Sequence, residues 1–441
     1  MTQNASLSNK ISANDPLINQ AYQLLAQGKL EDVAKLLNLA QKNTTQDPRI
    51  FMLGAKLAEQ QGHPASAIEA AEHAVALTPQ WWPAQLEYGL LLARLDKYAP
   101  ALAQAEKIFA LESKEKLALA GVIDIATRCG DSAKAIAYTQ RALEVYPNDP
   151  VLLMNLGRTY YFSKQYEKAL QTWTQLIAID PQQIQAYYGR LNAWVQLGQP
   201  AKAQEDIAQL LAHAPEHPVY QYYAQVVAGQ TPATQPVELQ RELFDGMAQQ
   251  YDLHMVRVLR YELPKQIAEK IVGIFPDRTF NLLDLGCGSG LLGVYLGKVN
   301  GWVVGVDAST KMAEQAARHG IYHKIHTVNI LDAVRDTPAN LYEVITALDV
   351  FPYVGDLEPV LGNVHRILQS DGFFFFSTEV AEEAEQGYVL QANGRYAHTR
   401  AYLESLLELA GYAMARIEEK TLRFEAGEPV KGFVVTAQKG R

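Results

Sequence analysis

Two acidic residues, each within or at the end of a short apolar run, flank a segment rich in glycine. Asp284 stands in the run 281–285 and is followed by Gly286-Cys-Gly-Ser-Gly290, while Asp307 ends the run 302–307. Glycines let a backbone approach a ligand closely, and a helix predicted to begin at once adds N-terminal amides. A pyrophosphate would be repelled by a carboxylate at 284, whereas a cationic amino group would favour it. Asp307 suits the two hydroxyls of a ribose, so the pattern predicts a site for a nucleoside that carries an amino group.

Two further runs complete this half of the chain. Residues 325–332 include Asn329 and Ile330, which have the position to frame a base, and residues 343–353 end with Leu348 and Tyr353. Short apolar runs that alternate with helical segments predict an α/β sheet.

The ordered motifs DLGCGSG, VGVDAS, the pair NI and LDVFPYVGDLE resemble those of class I S-adenosylmethionine-dependent methyltransferases. The resemblance implies a Rossmann-like domain with a seven-stranded, mostly parallel sheet. One antiparallel strand is expected near the C-terminus, with residues 373–376 and 432–437 as late strands. It also implies that S-adenosylmethionine binds and leaves as S-adenosylhomocysteine. By position, Asp284 and the glycine segment would hold the methionyl part, Asp307 the ribose, Asn329 and Ile330 the adenine, and the Leu348 carbonyl the amino group. The implied cofactor-binding residues are Tyr251, Asp284, Gly286, Cys287, Gly288, Gly290, Leu291, Asp307, Ala308, Met312, Asn329, Ile330 and Leu348.

Segments 244–254, 259–264, 377–379, 394–398 and 423–432 are similar to bacterial methyltransferases fused to tetratricopeptide repeats. This closer resemblance implies a lid helix before the core, with Tyr251 covering the cofactor. We expect an acceptor pocket with His254, Tyr353 and His398 as catalytic candidates, and either histidine as the base if one is used. Each of them is also explained by a structural polar role. The substrate-binding candidates are Glu379, Arg395 and Tyr396.

The first half of the chain repeats with a period of 34 residues. Alanines recur at 67, 101, 135, 169 and 203, prolines at 79, 147, 181 and 215, and glycines at 62, 130 and 198. A small alanine lets two helices approach, a glycine ends the first helix of a pair, and a proline ends the second. This pattern resembles the tetratricopeptide repeat, with five repeats over about residues 48–215, a weaker repeat before them and a capping helix near 217–229.

The repeat resemblance implies an α-solenoid whose groove binds a protein or peptide. An arm that only scaffolds or pairs copies of the enzyme is the alternative, so a homodimer stays open. The ordered Lys/Asn/Arg set with which some such arms clamp a terminal carboxylate is absent from the sequence. The proline-rich stretch 228–238 predicts a linker between the repeats, 1–227, and the methyltransferase domain, 239–441.

Composition limits the partners. Residues 1–235 carry 19 basic and 21 acidic side chains and residues 236–441 carry 20 and 27, so neither half has the basic excess that nucleic acid requires. The sequence contains no apolar run long enough to cross a membrane, and residues 1–16 lack the apolar core of a signal peptide, so we expect neither a membrane span nor a secretion signal. Two distant cysteines favour a reducing cytoplasm. The histidines lack partners at ligand spacing, so we expect no metal.

Three functions fit these observations. The enzyme methylates a nitrogen or oxygen of a protein or peptide that the arm recruits, or it methylates a small molecule while the arm serves assembly. The weakest of the three is a cofactor-binding assembly factor without turnover, which the intact motifs disfavour.

Overall fold

The computed structural model describes residues 11–441 and divides into two compact units between Ala193 and Trp194. The division falls in the last turn of a helix and precedes the predicted linker by more than 30 residues. The helices between Trp194 and Val227 therefore belong to the same compact unit as the sheet. The domain boundary that the sequence predicts at 228–238 stays a prediction.

The first unit consists of antiparallel helices joined by short turns. They are α1 (Asp15–Ala26), α2 (Leu30–Asn43), α3 (Pro48–Gln60), α4 (Pro64–Leu77), α5 (Trp82–Arg94), α6 (Tyr98–Leu111), α7 (Lys116–Arg128), α8 (Ser132–Val145), α9 (Pro150–Phe162), α10 (Tyr166–Ile179) and α11 (Ile184–Gln196). From α3 onward the first helix of each pair begins 34 residues after the start of the first helix of the preceding pair, which confirms the predicted repeat.

The small residues of the repeat allow this spacing. Ala67, Ala101, Ala135 and Ala169 are at most 1% exposed. Each turn within a pair needs a left-handed residue, and at two turns Asp96 and Lys164 (φ of 57° and 58°) fill the position that glycine takes elsewhere.

The second unit begins with the end of α11 and a 3₁₀ turn, Pro200–Ala203. Its helices are α12 (Gln204–His213), α13 (Pro218–Val227), α14 (Val237–Met247), α15 (Leu263–Ile274), α16 (Leu291–Leu296), α17 (Thr310–Arg318), α18 (Ile330–Asp336), α19 (Glu358–Ile367) and α20 (Arg400–Leu409). A helical turn, Tyr251–Leu253, and a π-helical turn, His254–Val258, follow α14, and a 3₁₀ turn spans Phe351–Tyr353.

One sheet of nine strands forms the centre of this unit. The strands are β1 (Leu282–Leu285), β2 (Val303–Asp307), β3 (Lys324–Thr327), β4 (Tyr342–Ala347), β5 (Leu368–Val380), β6 (Tyr388–Leu390), β7 (Tyr396–His398), β8 (Tyr412–Glu425) and β9 (Glu428–Lys439). Strands β3-β2-β1-β4-β5 are parallel in that order, and β9 pairs antiparallel with both β5 and β8. The predicted fold class is confirmed.

The hairpin of β6 and β7 is an addition to the seven-stranded plan. Strand β7 pairs with the last residues of β5, where Glu379 is opposite Ala397, and β6 extends the edge. Phe374, Phe375 and Phe376 on β5 are fully buried, as expected of a central strand.

The stretch 228–238 is hydrogen-bonded to the loop that follows β4. The carbonyl of Ala233 accepts from the amides of Gly355 and Asp356, at 2.9 and 2.8 Å, and the amide of Gln235 donates to the carbonyl of Tyr353 at 3.1 Å. This stretch is therefore held in place within the second unit. No helix among residues 11–441 is long and apolar enough to cross a membrane.

Candidate functional site

A cavity opens at the carboxyl ends of β1, β2 and β4. In a parallel sheet this edge is where ligands bind, because the order of the strands reverses there. The residues that line it are Gln240, Phe244, Tyr251, Gly286, Gly288, Asp307, Ala308, Met312, Ile330, Leu348, Asp349, Val350, Tyr353 and Val354.

The glycine segment forms the floor of this cavity. Gly286, Gly288 and Gly290 all have positive φ, at 65°, 55° and 88°, which favours glycine strongly. A Cβ on Gly288 would point at Met312 and Tyr251, 3.6 and 3.8 Å from their nearest atoms. Since both of those side chains also line the cavity, the missing Cβ leaves space that a ligand can fill.

Asp307 lies at the end of β2 with its carboxylate fixed by two backbone amides. Gly288 donates to Oδ2 at 2.9 Å and Ser309 donates to Oδ1 at 2.8 Å. Burial raises the pKa of Asp307, although these two hydrogen bonds oppose the shift. Each oxygen keeps a further lone pair, so the carboxylate has the acceptors that a ribose needs.

Asp284 lies beneath the glycine segment and not in the wall of the cavity. It is 3% exposed and accepts hydrogen bonds from the hydroxyls of Tyr322, at 2.6 Å, and Thr346, at 2.7 Å. Burial raises its pKa to about 6. The ring of Tyr322 fills the space beside Gly290 and Gly305, so it supports both the segment and the carboxylate.

The remaining residues of the predicted cofactor set divide into two groups. Ala308, Met312, Ile330 and Leu348 line the cavity. Cys287, Gly290, Leu291 and Asn329 do not; Cys287 is buried, and the Asn329 side chain caps α18 by accepting from the amide of Leu331 at 2.8 Å.

Residues 237–258, called the lid below, cover the cavity with Phe244 and Tyr251. The Ser309 hydroxyl donates to Asp245 at 2.5 Å, and the Ser289 hydroxyl donates to Asp252. Both serines belong to the loops that follow β1 and β2. The lid is therefore attached to the same loops that shape the cavity.

Asp349 was not among the residues singled out from the sequence, although it is the second residue after β4. Its side chain lines the cavity, and its Oδ1 accepts from the guanidinium of Arg423 at 2.5 Å. Burial would lower the pKa of Arg423, but the charges of Asp349 and Glu379 outweigh it and raise the pKa, so the guanidinium stays charged. A local pattern could not reveal this pair, because its members are 74 residues apart.

Arg423 extends the ionic network to two predicted substrate-binding residues. Its guanidinium also bonds to Glu379 and to Glu425, the latter at 2.8 Å, and Arg395 reaches Glu425 at 2.7 Å and Glu379 at 2.9 Å. Tyr396, the third of those residues, is fully buried. Glu379, Arg395 and Tyr396 do not line the cavity, so the network connects with it through Asp349.

Of the three catalytic candidates, only Tyr353 lines the cavity, and burial raises its pKa. His254 lies on the outer side of the lid, in a hollow shared with Lys311 and Arg318. His398 is fully buried with its Nε2 2.9 Å from the carbonyl of Gly355, and burial lowers its pKa to about 4. The structure thus does not bring either histidine to the cavity. Within residues 11–441, no group of three acidic, histidine or cysteine side chains is placed to hold a metal.

Comparison with known proteins agrees with this geometry. Residues 283–374 match the family model for a methyltransferase domain, and residues 10–154 and 129–191 match models for the tetratricopeptide repeat. The chain combines tetratricopeptide repeats with a methyltransferase domain.

Curated relatives match part of the chain. A ubiquinone biosynthesis O-methyltransferase of Actinobacillus pleuropneumoniae serotype 5b (strain L20) is 29% identical over 133 residues, which are 29% of this chain and 54% of that protein. The chain thus spans about half the length of that curated relative. An uncharacterized protein of Haemophilus influenzae is 34% identical over 110 residues, which are 22% of this chain and 41% of that protein. Among solved structures, magnesium protoporphyrin IX methyltransferase of Synechocystis PCC 6803 covers 48% of this chain and 100% of its own, at 17% identity and a TM-score of 0.37.

Proposed function

We propose that this chain is an S-adenosylmethionine-dependent methyltransferase that transfers a methyl group to a nitrogen or oxygen of an acceptor. The observation that carries the proposal is the cavity itself. A carboxylate at the end of β2, a left-handed glycine segment and an aromatic lid meet there. Such a set fits a nucleoside with an attached amino acid.

Individual residues have distinct tasks in this proposal. Asp307 accepts from the ribose hydroxyls, Ile330 packs against the adenine, and the Leu348 carbonyl accepts from the amino group. The buried Asp284 acts through Tyr322 and Thr346 to keep the glycine segment in shape. Cys287, Gly290, Leu291 and Asn329 would contribute through the backbone of their loops.

The bound cofactor supplies a methyl group that is already electrophilic. The chain's own contribution is then to align the acceptor and to exclude water, which Tyr251 and Phe244 of the lid support. Tyr353 stays a neutral phenol, since burial raises its pKa, and it can orient an acceptor by a hydrogen bond. His398 is a poor candidate for a general base near neutral pH, because it is buried and its pKa is about 4.

The repeat arm is proposed to recruit a protein or peptide. A groove lies between α7 and α9, and its wall includes Val151 and Phe162, which are 65% and 73% exposed. Exposed apolar side chains in a groove favour a partner that covers them.

A small-molecule acceptor is the second candidate. Similarity to the Actinobacillus ubiquinone biosynthesis O-methyltransferase favours it. The arm would then serve assembly. A cytoplasmic location belongs to either version and is supported by Cys129 and Cys287, which are both free thiols.

Calorimetric titration of S-adenosylhomocysteine into the full chain tests the cofactor assignment. We expect binding in the micromolar range, and a folded protein that gives no heat of binding contradicts the proposal. The acceptor is then sought by transfer of labelled methyl groups to proteins of a cell extract.

The role of the groove is tested in the same assay with Phe162→Ser. We expect this variant to label its protein acceptor less, while cofactor affinity stays unchanged. Leu117→Ser is the matched control, because Leu117 is 67% exposed on α7 but does not line the groove. Equal labelling by all three proteins means that this groove does not recruit the acceptor, whereas the absence of protein labelling by wild type favours the small-molecule alternative.

A further inference from the structure

Asp349 is the one acidic side chain in the cavity wall, besides Asp307, and the cofactor assignment gives it no task. We propose that its carboxylate binds the acceptor, and that the accepting group donates a hydrogen bond to it. The acceptor is therefore an amine or a hydroxyl compound and not a carboxylic acid. This inference rests on the proposed function and specifies its substrate class.

Only one oxygen of the Asp349 carboxylate is hydrogen-bonded within residues 11–441. The guanidinium of Arg423 donates to Oδ1 at 2.5 Å, and none of these residues donates a hydrogen bond to Oδ2. The Asp349 side chain is 14% exposed, whereas that of Arg423 is 3% exposed. One oxygen is thus fixed from behind, and the other is left for a ligand in the cavity.

The backbone of Asp349 also holds the side chain in place. Its φ is +59°, a left-handed conformation that Asp and Asn adopt more readily than other residues with a Cβ. Its amide donates to the hydroxyl of Ser377 at 2.9 Å.

The surroundings favour a donor and disfavour an acid. The rings of Phe244, Tyr251 and Tyr353 line the same cavity. The ring centroid of Phe244 lies 6.3 Å from that of Tyr251 and 5.3 Å from that of Tyr353. Aromatic faces beside a carboxylate suit an ammonium. The hydroxyl of Tyr261, whose pKa is raised by burial and by the charge of Asp349, is buried without a hydrogen-bond partner among the described residues.

The ionic network behind Asp349 has the matching sign. It contains three carboxylates, of Asp349, Glu379 and Glu425, and two guanidinium groups, of Arg395 and Arg423, so one negative charge is left over. A carboxylate acceptor would be repelled by that excess. Arg423 is a positioning residue here, because it touches Asp349 and not the acceptor.

Sinefungin provides a probe for this carboxylate. It resembles S-adenosylhomocysteine but carries an ammonium-bearing carbon in place of the sulfur, so its extra charge lies on the acceptor side. Calorimetry gives the ratio of the two dissociation constants for wild type, Asp349→Asn and Glu425→Gln. We expect wild type to prefer sinefungin, and Asp349→Asn to lose about tenfold of that preference. Glu425→Gln is the matched comparison: it removes one negative charge from the same network outside the cavity wall, so it should change the ratio less than Asp349→Asn does.

Each outcome decides the matter. An equal loss of affinity for both ligands in Asp349→Asn means that Asp349 binds a part common to both, which overturns the inference. An unchanged ratio of the two dissociation constants overturns it as well. Failure of wild type to bind S-adenosylhomocysteine contradicts the proposed function instead. Asn and Gly both tolerate a left-handed φ, so Asp349→Gly serves as a second variant if the first does not fold.

The labelled product gives an independent check. Base-labile label, the mark of a methyl ester, overturns the inference. Fragment spectra of a base-stable product assign the methyl to nitrogen or to oxygen.

Discussion

Replacing Asp307 by Asn tests the cofactor site most directly. The two oxygens of Asp307 are 2.9 and 2.8 Å from the amides of Gly288 and Ser309, so they are fixed before any ligand arrives. An asparagine keeps the shape but loses the charge, and its NH₂ group faces one of those two amides. The variant therefore weakens both hydrogen bonds to the ribose, because the acceptor no longer carries a charge. It also disturbs the geometry of one of them.

Hydrogen bonds to a charged group contribute about 1.5–3 kcal/mol each. Since the asparagine oxygen keeps one weaker bond, we expect a loss of about 2–4 kcal/mol, or about 30- to 700-fold in Kd. The assay is calorimetric titration of S-adenosylhomocysteine, with the thermal transition of the variant recorded beside it. Asp336→Asn is the control, because it removes the same charge from an exposed helix end. A folded Asp307→Asn protein that binds within about threefold of wild type would refute the assignment of Asp307 to the ribose.

Three other predictions follow from burial, packing and the lid. Because burial lowers the pKa of His398 from 6.5 to about 4, the unfolded chain binds more protons between these values. The difference in unfolding free energy between wild type and His398→Gln should therefore fall by about 3 kcal/mol as the pH drops through that window, in denaturant titrations. Gly189→Ala places a Cβ 2.5 Å from the ring of Trp173 and should destabilise the first unit by about 1–3 kcal/mol, whereas Gly54→Ala, with open space, should stabilise it by up to about 1 kcal/mol in denaturant unfolding. Asp252→Ala removes a hydrogen bond that holds the lid and should speed the release of S-adenosylhomocysteine by about 3- to 10-fold in stopped-flow experiments.

Each of these has an outcome that contradicts it. A pH-independent difference for His398→Gln means that the imidazole is not kept neutral by burial. Equal effects of Gly189→Ala and Gly54→Ala mean that the tryptophan contact does not limit the space. An unchanged release rate for Asp252→Ala means that the lid is held by other contacts.

The sequence predicts the repeat well because its period fixes where each helix begins. The turns are less predictable from residue type: glycine takes the left-handed position at four of them, 28, 62, 130 and 198, but Asp96 and Lys164 adopt the same conformation without it. A non-glycine residue there costs about 1–2 kcal/mol, which helix packing on both sides offsets. Residue type does not distinguish such positions from ordinary exposed polar residues; their place in the 34-residue frame does.

Ligand-binding residues that belong to local motifs can also be predicted from the sequence. Asp307 and the glycine segment lie where their spacing suggested, at the carboxyl ends of adjacent strands. Contacts between distant strands cannot be predicted in this way: the pair of Asp349 and Arg423, and the burial of His398 on β7, depend on pairing that only the folded sheet creates. Both histidines looked alike in the sequence, and their surroundings differ completely.

The position of the division between the compact units has a consequence for engineering. Because the units divide within the last turn of α11, the second helix of the last repeat, α12, is structurally part of the catalytic module although its sequence period is that of the arm. Whole 34-residue modules can therefore be added or removed before residue 184 without altering a residue of the catalytic unit. Chimaeras that exchange arms should be joined there, whereas a cut at the proline-rich stretch would also remove hydrogen bonds to the loop that carries Tyr353.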